Sequence, residues 1–378
     1  MKIAIIAQGS IPAQTANSIQ NMKMAGAMAE LGNEVKVFAP GKNIEVGWDK
    51  LAIHYGLAKQ FEIQWLPEHN LFRRYDFALN AVRASQEWSA DLVYTRLPQA
   101  ATWAAARGVP TIFELHDLPS GIMGPWLFRL FIRGQGVKRL VVNTNHLEIE
   151  IQARYPIPAD DDFLILAPNG VDLQRYENLP DPQAARQKLG LPESFTAGYT
   201  GHLYRGRGIE LILDLALRMP EFRFLFVGGR KDDLAQRRQQ AVGLDNVRFV
   251  GFVPNAELPQ YQAACDVFLM PHEQRVAGSS GANIAEFTNP LKMFEYLACG
   301  RPILASDLPI LREVLNENNA VLLPISDLQA WTDALITLAQ HSAQRADLAQ
   351  AGKKTAAQFS WQKRATRILR GIEKTAKI

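Results

Sequence analysis

The chain has 378 residues, enough for two α/β domains at about 150 residues each. Hydrophobic residues make up 47% and charged residues 21%, which is typical of a globular protein and excludes a disordered chain, a collagen-like chain or a coiled-coil rod. Lys and Arg number 41 against 38 Asp and Glu, so the net charge is +3. That margin is too small for a nucleic-acid-binding face, but it permits a local anion site.

The two cysteines, Cys265 and Cys299, form no CxxC pair. A disulfide scaffold is excluded, and a reducing compartment such as the cytoplasm is expected. The apolar run at residues 3–7 is too short for a signal peptide. No run of 18 apolar residues occurs, so we expect no membrane-spanning helix.

Strands and helices alternate through the first part of the chain. The run IAIIA is uniformly apolar, which is typical of a parallel strand buried on both faces. A helical pattern follows and stops at Gly32, a residue suited to the helix C-terminus. The predicted strands are 3–7, 34–38, 91–95, 110–115, 139–144 and 163–167, and the predicted helices are 18–31, 100–107 and 146–155.

A second series begins after the turn-rich sequence PNGVD at 168–172. Two such series predict an α/β fold of two doubly wound, Rossmann-like domains with mostly parallel sheets. Ligands of such domains bind at the carboxyl ends of the strands, so we expect the site in a cleft between the domains. The predicted strands are 197–200, 222–227, 247–250, 267–270 and 302–305, and the predicted helices are 209–218, 258–264, 291–298 and much of the chain from 327 onward.

The loop GHLYRGRG, residues 201–208, lies between a predicted strand and a predicted helix. Its glycines let the backbone approach a ligand closely, and the helix N-terminus that follows favours phosphate. Arg205 and Arg207 add positive charge and paired donors. A tight turn with solvated arginines is the alternative, and the pattern favours an anion site.

The segment TNPLKMFEYLACG predicts a helix with Asn289 at the N-cap, Pro290 at the first helical position and Gly300 just past the end. Lys292 in the first turn opposes the helix dipole unless an anion lies beside it. Glu295, one turn later, is suited to accept hydrogen bonds from sugar hydroxyls. An ordinary surface Lys–Glu pair explains the same residues, and the residues alone leave both interpretations open.

Three segments of the first half are further candidates. His116 ends the strand FELHD, where Glu114 or Asp117 could orient it, although a lone histidine is more often structural. Asn17 and Ser18 follow the first strand; capping of the helix alone explains them, and facing a ligand is the alternative. The apolar segment WLFRLFIR predicts a core helix, with a membrane-surface helix as the alternative. No metal-ligand cluster and no GxSxG motif occurs in the sequence.

These segments together resemble the retaining glycosyltransferases of family 4, the glycosyl transferases group 1, which have the GT-B fold. The stretch PLKMFEYLACGRPILAS is similar to the family signature Pro-x-Lys-x-x-Glu-Tyr-x-Ala-x-Gly-x-Pro-Ile-x-x-Ser and is specific in combination. The weaker matches are ANSIQ with LGNEV, the His-Asp strand end, PNGVD, the loop at 201–208, and FSW before the last helix.

The resemblance implies two domains facing across a cleft, with the C-terminal helix crossing back to the first domain. It implies an acceptor-binding domain at 1–170 plus 359–378 and a nucleotide-sugar-binding domain at 171–358. It also implies a metal-independent enzyme that moves a sugar, with retention, from a UDP or GDP sugar to an acceptor hydroxyl. The acceptor would be a glycan, a lipid or a small molecule, and a lipid acceptor would bring the protein to a membrane surface. No other cofactor and no nucleic acid is implied.

The resemblance also implies site residues. His116, near the donor sugar, and Arg207, at the diphosphate, would be catalytic; Glu295 would hold the ribose, and Asn17 and Ser18 would border the acceptor. The implied donor-binding set is Gly201, His202, Arg205, Arg207, Pro290, Leu291, Lys292 and Glu295.

Two positions depart from the family pattern. The family often has two glutamates eight residues apart, but Phe287 stands eight before Glu295, and Glu286 is one position off. His202 replaces the loop arginine, so either Arg205 supplies the missing charge or phosphate binding depends on pH through His202.

Two alternatives remain: another GT-B enzyme on the same fold, such as a nucleotide-sugar epimerase, or a non-catalytic nucleotide-sugar-binding protein, which only the missing first glutamate supports. A phosphorylase would need a lysine for pyridoxal phosphate in a glycine-rich setting, and none is evident. A dinucleotide-dependent oxidoreductase would need GxGxxG after the first strand, where Gly9 stands alone.

Overall fold

Two parallel β-sheets organise the chain. The computed structural model describes residues 1–42, 44–69, 74–134, 136–160, 162–275 and 285–372. It divides into unit 1, formed by residues 1–169 and 361 onward, and unit 2, formed by residues 170–360.

Unit 1 is built on a seven-stranded sheet of order β3-β2-β1-β4-β5-β6-β7, and its strand pairings are parallel. The apolar run of the first strand lies in the centre, where Ile3 to Ile6 are fully buried. The strands are β1 (Lys2–Ile6), β2 (Glu34–Pro40), β3 (Glu62–Leu66), β4 (Leu92–Thr95), β5 (Thr111–Leu115), β6 (Lys138–Val142) and β7 (Leu164–Leu166).

Helices connect successive strands of this sheet, as parallel pairing requires. They are α1 (Ala16–Glu30), α2 (Trp48–Tyr55), α3 (Tyr75–Glu87), α4 (Pro98–Ala106), α5 (Met123–Arg133) and α6 (Asn145–Arg154). The last helix of the chain, α14 (Trp361–Leu369), also belongs to unit 1 and packs against α1. Its carboxyl end is held by Arg139, whose Nη1 donates to the carbonyl of Ile368 at 2.6 Å.

Unit 2 repeats the plan with a six-stranded sheet of order β10-β9-β8-β11-β12-β13. Its strands are β8 (Thr196–Thr200), β9 (Arg223–Val227), β10 (Val247–Gly251), β11 (Val267–Met270), β12 (Ile303–Ser306) and β13 (Val321–Leu323). Its helices are α7 (Pro182–Leu189), α8 (Ile209–Arg218), α9 (Lys231–Gln240), α10 (Leu258–Ala263), α11 (Leu291–Cys299), α12 (Leu328–Gln340) and α13 (Ser342–Ala356).

The predicted fold class of two doubly wound, Rossmann-like α/β sheets is confirmed, and so is the assignment of the C-terminal helix to the first of them. The sequence analysis missed several elements. β3 is an edge strand whose side chains are exposed or only partly buried, so it lacks a continuous apolar run. α9 buries only Leu234 and Arg237, so it lacks an apolar stripe. The other elements missed are β13, α2, α3 and α7.

The segment WLFRLFIR lies in α5, which buries one face through Leu127, Phe128, Phe131 and Ile132. Among the described residues, no helix has both the length and the apolarity needed to cross a bilayer.

Candidate functional site

The loop that follows β8 packs directly on the loop that follows β11. A Cβ added to Gly208, which has φ +69°, would lie 1.9 Å from the carbonyl oxygen of Pro271. The N–H of Glu273 donates to the carbonyl of Gly206 at 3.0 Å. Glycine is therefore required at position 208 both for its backbone conformation and for the close approach of the two loops.

The amino end of α11 lies against the start of the same loop. A Cβ on Gly201 would lie 3.3 Å from both Cε and Nζ of Lys292. The helix begins at Leu291 with Pro290 at the N-cap (φ −73°, ψ 128°), so placing Asn289 at the cap and Pro290 in the helix was wrong by one residue. The ψ of Pro290 is extended, which keeps it outside the helix. Gly300 ends the helix in the left-handed conformation, as expected.

Lys292 carries a buried amine without a hydrogen-bond partner among the described residues. Its Nζ lies 3.6 Å from the centre of the Tyr199 ring, a cation–π contact that compensates only in part for lost hydration. Burial, together with the charge of Arg207, holds the pKa of Lys292 well below its usual range, and Glu295 opposes this shift. An anion at this point would raise the pKa of the amine and accept its missing hydrogen bonds.

Arg207 and His272 stand beside this amine. Nη1 of Arg207 lies 3.3 Å from Nε2 of His272. A guanidinium only donates, so Nε2 accepts, and the ring proton of neutral His272 is on Nδ1. That Nδ1 is buried and has no partner among the described residues. Burial, then the charges of Arg207 and Lys292, keep the pKa of His272 well below its usual range.

His202 lies in the same loop and stacks on Tyr204, with ring centres 4.7 Å apart. The guanidinium carbon of Arg230 lies over the Tyr204 ring, 5.3 Å from its centre. Burial and the charges of Arg230, Lys292 and Arg207 lower the pKa of His202 to about 4. The ring is thus neutral at pH 7 in the unliganded protein, and it adds no fixed charge in place of the arginine it replaces.

The remaining predicted donor residues surround this cluster at different depths. Arg205 is exposed, whereas Arg207, Pro290, Leu291 and Lys292 are partly buried. The first N–H groups of α11 have no acceptor within the helix, which makes its amino end favourable for an anion. The structure thus brings Gly201, Arg207, Lys292 and the start of α11 together. We describe this set, with His202 and His272, as the cationic pocket of unit 2.

Glu295 lies one turn further along α11, in a polar network. Nε2 of Gln262 lies 3.4 Å from its Oε2 and 3.4 Å from Oγ1 of Thr200. The hydroxyl of Tyr176 donates to Oε1 of Gln262 at 2.8 Å. Gln262 and Tyr176 therefore orient the carboxylate that was assigned to the ribose.

The place of the family's first glutamate, eight residues before Glu295, holds Phe287, and Glu286 stands one position off. Glu286 and Phe287 share a 3₁₀ turn, in which the Glu286 side chain is exposed and Phe287 is 8% exposed. A buried phenyl ring cannot accept hydrogen bonds from a sugar. No group of three His, Cys, Asp or Glu side chains that could hold a metal occurs in the described ranges.

His116 lies at the carboxyl end of β5 in unit 1, next to a buried carboxylate. Its Nε2 is hydrogen-bonded to Oε1 of Glu114, which is 1% exposed. Oε1 of Glu114 also pairs with Nη2 of Arg364, from α14, at 2.8 Å. Burial, the charge of Arg96 and that of Arg364 lower the pKa of His116 to about 4, against the opposing effect of Glu114. Glu114, one of the two orienting residues considered, is in contact with the ring.

The two predicted acceptor residues lie at the start of α1. Thr15, not Asn17 or Ser18, caps the helix: its hydroxyl accepts from the N–H of Ser18 at 3.2 Å. Ser18 is 2% exposed, and its hydroxyl is bonded to that of Tyr55. Asn17 accepts from Nη1 of Arg96 at 3.1 Å and donates to Gln8 at 2.9 Å. Ser18 is thus buried and Asn17 is partly exposed.

Sequence reasoning missed His272, Tyr199, Arg96 and Arg364. His272 follows the apolar strand β11, and a polar residue at the carboxyl end of a buried parallel strand was a usable signal. Arg364 gave no such signal, because it lies among other basic and polar residues of a terminal helix.

Comparisons with known proteins place both units in known families. Residues 20–175 match the family model described as Glycosyltransferase Family 4, and residues 194–341 match that of Glycosyl transferases group 1. A phosphatidyl-myo-inositol mannosyltransferase of Mycobacterium leprae is 24% identical over 400 positions, covering 100% of this chain and 97% of the relative. A D-inositol 3-phosphate glycosyltransferase of Jonesia denitrificans is 26% identical over 397 positions, covering 94% and 90% of the two chains.

Solved structures show the same fold. Anabaena Alr3699/HepE, in complex with UDP and glucose, matches with a TM-score of 0.73 at 20% identity over 99% of both chains. WaaG, a glycosyltransferase involved in lipopolysaccharide biosynthesis, matches with a TM-score of 0.69 at 16% identity over 99% of both chains.

Proposed function

Because this chain belongs to the group 1, family 4 glycosyltransferases and is an enzyme of the GT-B type, we propose that it transfers a sugar from a nucleoside-diphosphate sugar to an acceptor hydroxyl. The reaction retains the anomeric configuration and needs no metal. The observation that carries the proposal is the cationic pocket, where the buried amine of Lys292 has no partner among the described residues and Arg207 lies close by. A UDP- or GDP-sugar supplies the missing anion.

The donor diphosphate binds at the amino end of α11. Backbone N–H groups of Leu291 and Lys292 and the side chains of Arg207 and Lys292 hold its oxygens; Pro290 has no N–H to give. When the bond between the sugar carbon and the diphosphate oxygen breaks, negative charge develops on the leaving oxygen. Positive charge that is already in place stabilises this transition state more than the ground state.

The other donor contacts follow from their positions in unit 2. Glu295, oriented by Gln262, accepts hydrogen bonds from the ribose. Gly201 lets the backbone come close to the diphosphate, while exposed Arg205 adds charge at the rim. Backbone groups serve the sugar in place of the absent first glutamate, since Phe287 is buried.

Unit 1 supplies the remaining proposed roles. His116 binds the transferred sugar, and the acceptor lies near Asn17. Ser18 supports this region through its bond to Tyr55 rather than through a direct contact, because it is 2% exposed. No covalent nucleophile is assigned, so a donor phosphate oxygen accepts the proton of the acceptor hydroxyl as the new glycosidic bond forms.

The donor assignments are tested by two variants assayed with EDTA present. R207A is expected to lower kcat about 100-fold with a smaller change in donor affinity, as loss of a transition-state donor does. E295A is expected to weaken binding of UDP or GDP about tenfold, the size of one lost hydrogen bond to a charged group. R218A, an exposed arginine at the end of α8, is the matched control. Unchanged kinetics in R207A and E295A would contradict the assignments.

A lipid-linked acceptor is the class we favour, because α5 presents an apolar face next to arginines. Ile122 is 94% exposed and Trp126 is 52% exposed, and the same helix carries Arg129 and Arg133. Such a face suits an anionic lipid surface, and one relative is named as acting on phosphatidyl-myo-inositol.

This part of the proposal is tested by sedimentation with phosphatidylglycerol vesicles. We expect wild type to bind, the double variant I122A/W126A to bind at least several-fold more weakly, and L217A, which changes an exposed leucine of unit 2, to bind normally. Equal binding of all three, or none by wild type, would contradict it. A cytoplasmic location is part of the proposal and is supported by the two buried, unpaired cysteines.

A further inference from the structure

Inside unit 1, Glu114 accepts hydrogen bonds from three side chains and forms an ion pair with a fourth. Its carboxylate accepts hydrogen bonds from Nε2 of Gln20 at 2.7 Å, from the hydroxyl of Tyr94 and from Nε2 of His116, and it forms an ion pair with Nη2 of Arg364 at 2.8 Å. Burial alone would raise the pKa of Glu114, but the charge of Arg364 and the bond to His116 hold it well below its usual range. The carboxylate is therefore ionised and can only accept.

This arrangement fixes the proton on the histidine ring. Since Glu114 only accepts, Nε2 of His116 must donate and carries the proton. The charged groups around the ring are Glu114, Arg96 and Arg364, with Asp117 next in the chain. With two arginines near a buried ring, a second ring proton is unfavourable. The Nδ1 atom thus keeps its lone pair. The His116 side chain is 19% exposed, so a ligand can reach it.

Arg364 is itself held firmly. Its Nε donates to the carbonyls of Ala167 and Pro168 at 3.2 and 3.0 Å, and its side chain is 3% exposed. The guanidinium therefore bridges the backbone after β7 and the Glu114 carboxylate of β5. A lysine has no planar fork and would not make both sets of contacts.

We propose that Glu114 and Arg364 are positioning residues for His116: together they hold its ring with the proton on Nε2, so that Nδ1 accepts a hydrogen bond from a ligand hydroxyl. The C-terminal helix thereby contributes to the reaction without touching substrate. That the ligand hydroxyl belongs to a sugar rests on the proposed function. The position of the proton on the His116 ring does not.

The test is histidine ¹⁵N NMR on the full chain, with the His116 signals assigned by their loss in H116Q. In wild type we expect neutral His116 with its proton on Nε2 from pH 5.5 to 8. In R364Q the lost positive charge makes protonation next to Glu114 easier, so the titration midpoint of His116 rises by more than one pH unit. In E114Q the ring stays neutral but the proton distributes over both nitrogens. R367Q, an exposed arginine of the same helix, is the control and should match wild type.

Kinetics separate positioning from a general structural role. R364Q is expected to lower kcat about tenfold to a hundredfold, by analogy with the loss seen when an outer partner of a metal-binding histidine is removed, with KM for the donor unchanged. R364K should recover part of kcat. Circular dichroism and thermal unfolding establish that each variant is folded.

Two results would overturn the inference: a proton on Nδ1 in wild type, which needs no variant to observe, or an unchanged midpoint in folded R364Q. Failure of the proposed function is a different outcome. A wild-type protein with the proton on Nε2 but without transfer activity would contradict the enzyme assignment and leave the ring state established.

Discussion

At the scale of single residues, the most informative side chain is Lys292. A buried amine without a hydrogen-bond partner among the described residues lowers the stability of a fold, because the unfolded chain solvates the ammonium fully. Such a group is explained where a bound ligand accepts its hydrogen bonds and balances its charge. Two neighbours add to this: burial lowers the pKa of Arg207, and burial together with the charges of Arg207 and Lys292 lowers that of His272.

The cationic pocket should take up protons when it binds a diphosphate. Burial and neighbouring cations depress the pKa of Lys292 and His272, and that of His202 to about 4. A bound anion raises all three, so binding at pH 7.5 should draw protons from the buffer and should weaken as the pH rises. Calorimetry of UDP or GDP binding in two buffers of different ionisation enthalpy measures this uptake.

Substitution identifies the group responsible. K292M should remove most of the uptake and weaken binding at least tenfold, as expected when a charged hydrogen bond is lost. K188M, an exposed lysine of α7, should behave as wild type. Binding heats that do not depend on the buffer would show that these groups do not change protonation.

Arg207, Lys292 and Glu295 could be predicted from the sequence, because Arg207 lies in a glycine-rich loop and Lys292 and Glu295 lie in a helix with recognisable ends. The sequence could not reveal that Lys292 is buried over Tyr199, since residues 93 positions apart meet only through the order of strands in the sheet. The same reason hid Arg364, which reaches Glu114 from a helix at the other end of the chain.

At the scale of elements, the loop at 201–208 depends on its contact with the loop after β11. G208A adds a Cβ at 1.9 Å from the carbonyl of Pro271 and also forces alanine into a left-handed conformation. Gly190 has a similar φ of +63° but open space around it, so G190A is the matched control. We expect G190A to lower the free energy of unfolding by about 1–2 kcal/mol, the cost of that conformation alone.

G208A should cost more than G190A and should also abolish nucleotide binding, because the loop can no longer close on Pro271. Urea unfolding and thermal shift with UDP or GDP measure the two effects. If G208A and G190A lose equal stability and both bind the nucleotide, the packing of the two loops is not what shapes the pocket.

The elements themselves were predicted best where burial gives a clear pattern. α8 (Ile209–Arg218) matches its prediction residue for residue because its apolar stripe is regular. β3 and α9 escaped notice because their side chains are mostly exposed or only partly buried. Neither the two-residue apolar alternation of a strand nor the apolar stripe of a helix is therefore visible in their sequences. The cap of α11 was misplaced by one residue because Asn289 and Pro290 fit the rules for the cap and the first helical position, whereas the extended ψ of Pro290 keeps it outside the helix.

At the scale of the whole chain, the last helix completes the first unit. Ile368 of α14 is fully buried, and α14 packs on α1. I368A should lower the stability of unit 1 by about 2–5 kcal/mol, the usual cost of such a truncation in a core. Hydrogen exchange should then speed up in α1 and β5, while the peptides of unit 2 exchange as in wild type.

T366A, an exposed position of the same helix, is the control for I368A. Faster exchange spread evenly over both units would mean that α14 does not stabilise unit 1 in particular. The packing of α14 on unit 1 was predicted only from the family resemblance, because the sequence of a helix does not indicate which element it packs against.

The most direct measurement is a crystal structure with UDP or GDP bound. The account predicts diphosphate oxygens within hydrogen-bonding distance of Nζ of Lys292 and the guanidinium of Arg207, at the amino end of α11. A nucleotide bound elsewhere in unit 2, or a diphosphate that leaves the amine of Lys292 without a partner, would contradict it.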